Sequence, residues 1–287
     1  MLLAGVTARA GRVSGDGMKL APILSAGLAL LVAACGAGIG EGSEGDSYDV
    51  SVKRADEARK AGDIDSAIPL YGRALQVKPD GVEAKLGLGQ AYLSVGAPDE
   101  AAALFRDVLD KRSGNQTARR GLALALISMG QTMLAQRQLE AALQADDRDY
   151  RTLNAYGVLL DMEGRHAEAQ ARYRQGIELA PDFVPLRSNF GLSLAISGQA
   201  QEAIAQLAPL AASRAADGQV RQNLAFAYAM NGDLENCLLV SRRDLSEVSA
   251  QQQLSYFLQL KALPAEARSA ELRRNPNFFP QAASGGA

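Results

Sequence analysis

Residues 62–79 read GDIDSAIPLYGRALQVKP, and residues 164–181 read GRHAEAQARYRQGIELAP. Both segments begin with glycine, carry alanine five positions later and tyrosine nine positions later, and end in proline. Agreement at four positions over such a distance indicates two copies of one sequence unit. The chain is therefore expected to be a repeat array, in which stacked units bury a continuous core.

The period of the repeat is 34 residues. Glycine recurs at this spacing, at Gly62, Gly96, Gly130, Gly164, Gly198 and Gly232. Small residues follow each glycine by five positions, at Ala67, Ala101, Ala135, Ala169, Ala203 and Cys237. Others precede each glycine by seven, at Ala55, Gly89, Ala123, Gly157, Gly191 and Ala225. Bulky apolar residues lie nine positions after the first five glycines, at Tyr71, Phe105, Leu139, Tyr173 and Leu207. Small residues let two helices approach closely, and glycine ends a helix in the left-handed conformation, so each unit is predicted to be a helix–turn–helix.

This pattern resembles the tetratricopeptide repeat, which implies an all-α, right-handed α-solenoid. We place six units at residues 48–81, 82–115, 116–149, 150–183, 184–217 and 218–251. Asp63 and Asp233 follow their glycines and are predicted to cap the second helix of their units. The segment 246–262 carries apolar residues at helical spacing, and we predict a C-terminal capping helix over 252–263. From Pro264 to the end, residues 264–287 are polar and are predicted to be disordered.

The composition argues against several classes of function. Thirty basic side chains against 32 acidic ones give a net charge of −2, which disfavours nucleic-acid binding. Tryptophan is absent, and one histidine with two cysteines provides too few ligands for a zinc site. No nucleotide-binding or nucleophile motif is present, so we predict a scaffold that is not an enzyme and that uses no cofactor or metal.

The remaining reactive residues are predicted to be structural. His166 begins a second helix and is expected to be solvated, with no acid or nucleophile paired to it. Cys237 takes the place of alanine in the sixth unit and is expected to be a buried packing thiol. The arginine clusters are expected to lie on solvated helix faces; they are Arg112, Arg119 and Arg120, and Arg242 with Arg243.

The amino terminus resembles a bacterial lipoprotein signal. Residues 20–35 form a short apolar run after Lys19 and end in Val-Ala-Ala-Cys at 32–35. The resemblance implies cleavage after residue 34 and lipidation of Cys35, and Gly36 after it implies sorting to the periplasmic face of the outer membrane. Residues 1–34 are then the signal peptide, within which we expect Met18 to be the true start, and residues 35–47 are the lipidated cysteine and a flexible tether. A plain secretory signal is the alternative.

The C-terminal part of the repeat carries a more specific resemblance. Residues 220–235 read VRQNLAFAYAMNGDLE, and residues 242–263 read RRDLSEVSAQQQLSYFLQLKAL. These stretches resemble the TadD-like assembly lipoproteins of Tad (Flp) pili, including an Asp244-Leu245 step and Tyr256 within a closing helix. The resemblance implies a pilotin-like role, with the outer-membrane secretin of the pilus as protein partner. The alternatives are another envelope repeat lipoprotein, such as a type IV pilus pilotin or an adaptor for peptidoglycan enzymes, and an envelope enzyme.

The repeat family also implies a partner-binding surface. In tetratricopeptide arrays the first helix of each unit lines a concave groove, and the corresponding positions here are largely apolar. They are Leu86, Gln90, Leu93, Arg120, Leu124, Ile127, Asn154, Val158, Met162, Ser188, Leu192, Ile196, Gln222, Phe226 and Met230. We predict that this concave row receives an amphipathic helix or apolar tail of the secretin. The alternative is that neighbouring helices or the chain's own C-terminal segment fill the groove.

Overall fold

The computed structural model describes residues 47–213 and 216–274, and within these ranges the regular secondary structure is entirely α-helical. The helices are α1 (Tyr48–Lys60), α2 (Ile64–Val77), α3 (Val82–Ser94), α4 (Pro98–Lys111), α5 (Gln116–Ser128), α6 (Thr132–Ala145), α7 (Tyr150–Met162), α8 (His166–Leu179), α9 (Val184–Ile196), α10 (Ala200–Ala211), α11 (Gly218–Asn231), α12 (Leu234–Ser241), α13 (Glu247–Ala262) and α14 (Ala265–Arg274). Each 34-residue unit holds two of the first twelve helices, so the predicted α-solenoid is confirmed.

The helices pack in two layers. Each helix from α1 to α12 contacts the next in the chain, and each first helix also contacts the first helix of the following unit, from α1 on α3 to α9 on α11. The first helices therefore form one continuous inner layer. This layer carries the predicted concave row.

The repeated glycine ends the first helix of every unit. All six glycines have φ between 71° and 92°, a region that residues with a Cβ atom rarely adopt. The residue after each glycine donates its backbone N–H to the carbonyl five positions earlier, as Asp63 does to Ala58 at 2.9 Å. This bond satisfies a carbonyl that the helix end leaves without a partner. Asp63 and Asp233 cap the following helices by accepting from Ser66 and Asn236, as predicted.

The small residues lie where the two helices of a unit meet. A Cβ atom built on Gly89 would lie 2.7 Å from Phe105, and one built on Gly191 would lie 2.5 Å from Leu207. Neither distance leaves room for a methyl group. The bulky residue of the second helix thus packs directly on the backbone of the first, which explains the paired spacing in the sequence.

The capping helix starts earlier than predicted. The Ser246 side chain accepts a hydrogen bond from the backbone N–H of Ser249, so α13 begins at Glu247 rather than at residue 252. α13 packs against α11 and α12, and the rings of Phe226 and Phe257 meet edge to face at 5.3 Å. The helix covers the apolar face that the sixth unit would otherwise expose.

The prediction of disorder from Pro264 onward is wrong for residues 265–274, which form α14. This helix packs against α9 and α13. Leu272 is fully buried, and Ser269 is almost fully buried. Burial of these two side chains and three hydrogen bonds from Arg268 order a segment that is polar in composition. Residues 275–287 lie outside the described residues.

The predicted signal peptide, Cys35 and most of the predicted tether also lie outside the described ranges. Ser47, the last residue assigned to the tether, caps α1 by accepting a hydrogen bond from Val50. Among the helices that the structure describes, none is both long enough and apolar enough to cross a membrane.

Candidate partner-binding surface

The concave row projects from α3, α5, α7, α9 and α11, but its two ends differ in exposure. Towards the amino terminus, Leu86, Gln90 and Leu124 are half-buried and reach the surface. Towards the carboxyl terminus, Ile196 and Phe226 are 0% exposed. The prediction of one open groove along all five helices is therefore wrong for its C-terminal half.

The covering elements are the chain's own C-terminal helices. α13 packs on α11, where Phe257 meets Phe226, and α14 packs on α9. Neighbouring repeats bury further members of the row; Leu93, Ile127, Val158, Ser188, Leu192 and Met230 are buried, whereas Met162 and Gln222 are half-buried. The sequence left open that the chain's own C-terminal segment fills the groove. In the structure this segment covers the surface of the last two units.

Arg120 lies in the less buried half of the row, on α3, α5 and α7, which we call its open half, and forms an ion pair there. Its Nη1 donates a 2.8 Å hydrogen bond to Oδ2 of Asp149, and the Thr152 hydroxyl donates to the same oxygen at 2.6 Å. Burial lowers the pKa of Arg120, and the Asp149 carboxylate opposes this shift. The ion pair holds the guanidinium in place on the same helix as Leu124.

Two of the five arginines predicted to be solvated are half-buried. Arg120 pairs with Asp149, and Arg119 donates to the backbone oxygen of Ser113 at 2.6 Å and to Gln138 at 3.3 Å. Both lie on α5, whose contacts with α4, α6 and α7 bring partners within reach. Arg112, Arg242 and Arg243 are exposed, as predicted.

A row of buried polar residues connects the first helices of units 4 to 6. Asn189 donates to Asn154 at 3.0 Å, and Asn223 donates to Ser188 at 3.0 Å. In both pairs the partners are 35 residues apart, one more than the repeat period. Asn154 and Ser188 belong to the row predicted to bind a partner, whereas the amides opposite them, Asn189 and Asn223, lie outside that row. In the structure these groups satisfy each other, which fixes the stacking of adjacent units.

The prediction that His166 is solvated and unpaired is wrong. Its Nδ1 lies 2.8 Å from Oδ1 of Asp161, and its Nε2 lies 2.8 Å from Oγ of Ser269 on α14. The serine is 103 positions away in the sequence, so no local motif could reveal the contact. His166 therefore joins the start of α8 to the C-terminal helix.

Asp161 is the centre of this cluster. It is buried and accepts hydrogen bonds from Ser193 at 2.7 Å and from Tyr173 at 3.0 Å, in addition to the contact with His166. Burial raises the pKa of the Asp161 carboxyl, and its three partners oppose that shift. We call Asp161, His166, Tyr173, Ser193 and Ser269 the Asp161 cluster.

The Asp161 cluster contains aspartate, histidine and serine in hydrogen-bonding order, and its serine is buried and bonded to the backbone. The Ser269 hydroxyl donates to the carbonyl of Ala265 at 2.9 Å, and the side chain is 3% exposed. Ser269 Oγ is therefore shared between the Ala265 carbonyl and Nε2 of His166, at a position with little access to solvent. The cluster connects α7, α8, α9 and α14.

Cys237 is a buried free thiol, as predicted. Burial raises its pKa to about 11, so the thiol is protonated and unreactive at neutral pH. It fills the small-residue position between the helices of the sixth unit.

Comparisons with known proteins agree with the repeat. One tetratricopeptide-repeat family model matches residues 52–116, and a second matches residues 92–155. The structure of a tetratricopeptide repeat protein from Parabacteroides merdae superposes with a TM-score of 0.62 over 76% of this chain and 87% of that chain. The two are 14% identical, so this likeness concerns the fold alone.

Similarity in sequence extends to curated proteins. The uncharacterised protein y4yS of Sinorhizobium fredii is 34% identical over 150 residues, which cover 48% of this chain and 82% of y4yS. The type IV pilus assembly protein PilF of Pseudomonas aeruginosa is 30% identical over 112 residues, which cover 38% of this chain and 44% of PilF. The 34-residue period, the paired helices and the two family-model matches show that the chain belongs to the tetratricopeptide-repeat proteins. Its similarity to y4yS shows that the two proteins share a family.

Proposed function

We propose that this protein is a lipid-anchored scaffold of the outer membrane that assists assembly of a Tad (Flp) pilus by binding the pilus secretin. Tetratricopeptide solenoids are protein-interaction folds that use their concave surface. The Val-Ala-Ala-Cys sequence at 32–35 supports lipid anchoring, and residues 220–263 support the Tad assignment through their resemblance to TadD-like proteins. The similarity to PilF supports a role in pilus assembly. The protein acts by binding and positioning its partner, without catalysis.

The observation that carries this proposal is the open half of the concave row in units 2 to 4. There Leu86, Leu124 and Met162 are half-buried, with Gln90 and Arg120 among them. An apolar strip with an amide and a guanidinium suits an amphipathic helix that carries an acidic residue beside its apolar face. The secretin segment is proposed to bind here, and not over units 5 and 6, where α13 and α14 cover the surface.

The test places charge on two partly exposed leucines of this strip, and circular dichroism checks that the repeats stay folded. Leu86→Glu combined with Leu124→Glu should abolish secretin multimers and pili while the lipoprotein remains at its normal level. Met133→Glu is the matched control, because Met133 is 73% exposed and lies outside the concave row. Normal multimers in the double variant, with circular dichroism unchanged, would contradict the proposed site.

A type IV pilus pilotin is the second candidate, and the similarity to PilF favours it. The two functions differ in the secretin that depends on the protein. Deleting the gene and measuring multimers of each secretin separates them: loss of the Tad secretin alone supports our proposal, and loss of the type IV pilus secretin alone supports the second candidate.

A further inference from the structure

α14 contacts the repeat through a small number of specific groups. Arg268 Nη1 donates to the carbonyl of Ile196 at 3.2 Å, Ser269 contacts His166 at 2.8 Å, and Leu272 is fully buried. These three residues of α14 occupy positions i, i+1 and i+4 of the helix. The first residues of α14, Ala265, Glu266 and Ala267, are exposed.

The groups that receive α14 form a surface with defined chemistry. Ile196 is the last residue of α9, and a carbonyl at a helix C-terminus attracts a cation because of the helix dipole. His166 is oriented by Asp161 and offers its Nε2 edge. The third element is the buried apolar site of Leu272. We call these three elements the α14 site.

The covering helix is also weakly tied to the rest of the chain. α14 has ten residues, follows α13 after the two-residue link Leu263-Pro264, and buries a single leucine completely. Arg268 holds the link by donating to the carbonyls of Leu260 and Leu263, both at 3.1 Å. A short helix with few buried apolar contacts opens at a lower free energy than the repeats beneath it.

We propose that the α14 site is a second binding site of this protein, specific for a partner helix that carries arginine, an adjacent serine or threonine, and leucine three positions after that hydroxyl residue. In the structure, α14 is the resident occupant of this site. A partner helix of this pattern would make the same three contacts once α14 has moved away. The inference concerns units 4 and 5 and holds whether or not the secretin is the partner of units 2 to 4. Resident α14 keeps the site closed to weaker ligands, because a tethered helix competes at high effective concentration.

The probe is a fluorescent peptide with the sequence of residues 264–274, PAEARSAELRR, added to the full chain. In a variant with Arg268→Ala and Leu272→Ala, the chain's own helix binds poorly, and the peptide should bind at least about tenfold more tightly than it binds to the wild type. Glu266→Ala, at the exposed start of α14, should leave peptide affinity at the wild-type value. Adding His166→Ala to the double variant should remove most of the gain.

A second variant guards against loss of folding in the first. Leu272→Asp places a carboxylate in the fully buried apolar site of Leu272 and should expel α14 without changing any residue of the repeats. Hydrogen exchange over residues 265–274 reports whether α14 has been released. Released α14 with tight peptide binding supports the proposal. Released α14 without a gain in affinity, or equal binding of a peptide carrying the Arg268→Ala and Leu272→Ala changes, would overturn it.

Discussion

The Tyr173 hydroxyl donates a 3.0 Å hydrogen bond to Oδ2 of Asp161, and both side chains are buried. Tyr173 is also the bulky residue that packs on Gly157 where the two helices of the fourth unit meet, a contact that we call the helix seam. One side chain thus contributes to both the helix seam and the Asp161 cluster. The same carboxylate contacts His166 and, through it, Ser269. The fourth unit and the C-terminal helix thus depend on one buried acid.

Replacing Asp161 should therefore destabilise the protein strongly. Asp161→Ala leaves buried polar partners without an acceptor, and we expect a loss of about 3–5 kcal/mol in the free energy of unfolding. Asp182→Ala, at an exposed carboxylate, should change it by less than about 0.5 kcal/mol. Urea unfolding measures both. Equal stability of the two variants would show that the Asp161 cluster contributes little.

A separate prediction concerns larger side chains at the helix seam. Ala135 and Ala169 are fully buried at the small-residue positions of units 3 and 4. Leucine at either position should overpack the seam and cost about 1–3 kcal/mol. Ala167→Leu is the matched control, because Ala167 lies exposed on the same helix as Ala169. Thermal midpoints equal to wild type for both seam variants would argue that the seam tolerates larger side chains.

Alkaline pH should weaken the first unit through Tyr71. Burial, with a hydrogen bond to Asp56, raises the pKa of Tyr71 to about 12, above its ordinary value of 10.0. The folded state then keeps a proton that the unfolded state releases, so this contribution is complete below pH 10 and is lost as the pH rises towards 12. Tyr71→Phe should make the free energy of unfolding fall less steeply over this range. If Tyr71→Phe left the pH dependence of the free energy of unfolding unchanged, Tyr71 would not be the group that weakens the first unit.

Membrane attachment is predicted to depend on Cys35. Cys35→Ser removes the sulfur that would form the thioether to lipid, so the protein should lose incorporation of labelled fatty acid and leave the outer-membrane fraction. Loss of one acyl chain alone would weaken anchoring, and loss of all of them should abolish it. Wild-type protein that fractionates with the membrane but carries no acyl label would rule out lipidation.

The sequence predicts the repeats well because their determinants are local and recurrent. Gly62 and its five equivalents specify left-handed helix ends, and pairs such as Gly89 with Phe105 specify the seam; each determinant lies within one unit. Each of these residues alone is a weak signal, but together they form a clear pattern because they recur in six units. The helix pairs therefore fall within the predicted units.

The C-terminal region could not be predicted in the same way. α14 has one fully buried apolar residue, Leu272, and its other contacts use Arg268 and Ser269, which resemble solvated residues in a polar sequence. The partner of Ser269 is His166, far away in the chain. The positions that line the groove in tetratricopeptide arrays predicted which residues lie on the first helices' inner face. They could not predict which of these residues α13 and α14 cover.

The most direct test of the central claim is site-specific photo-crosslinking in cells that produce the pilus. A photoreactive amino acid at position 124 should yield a crosslinked product that contains the secretin, identified with an antibody against it. The same amino acid at position 133, on the exposed surface outside the concave row, should yield none. Secretin crosslinks from position 133 but not from position 124, or from neither position in piliated cells, would contradict binding of the secretin in the open half of the concave row.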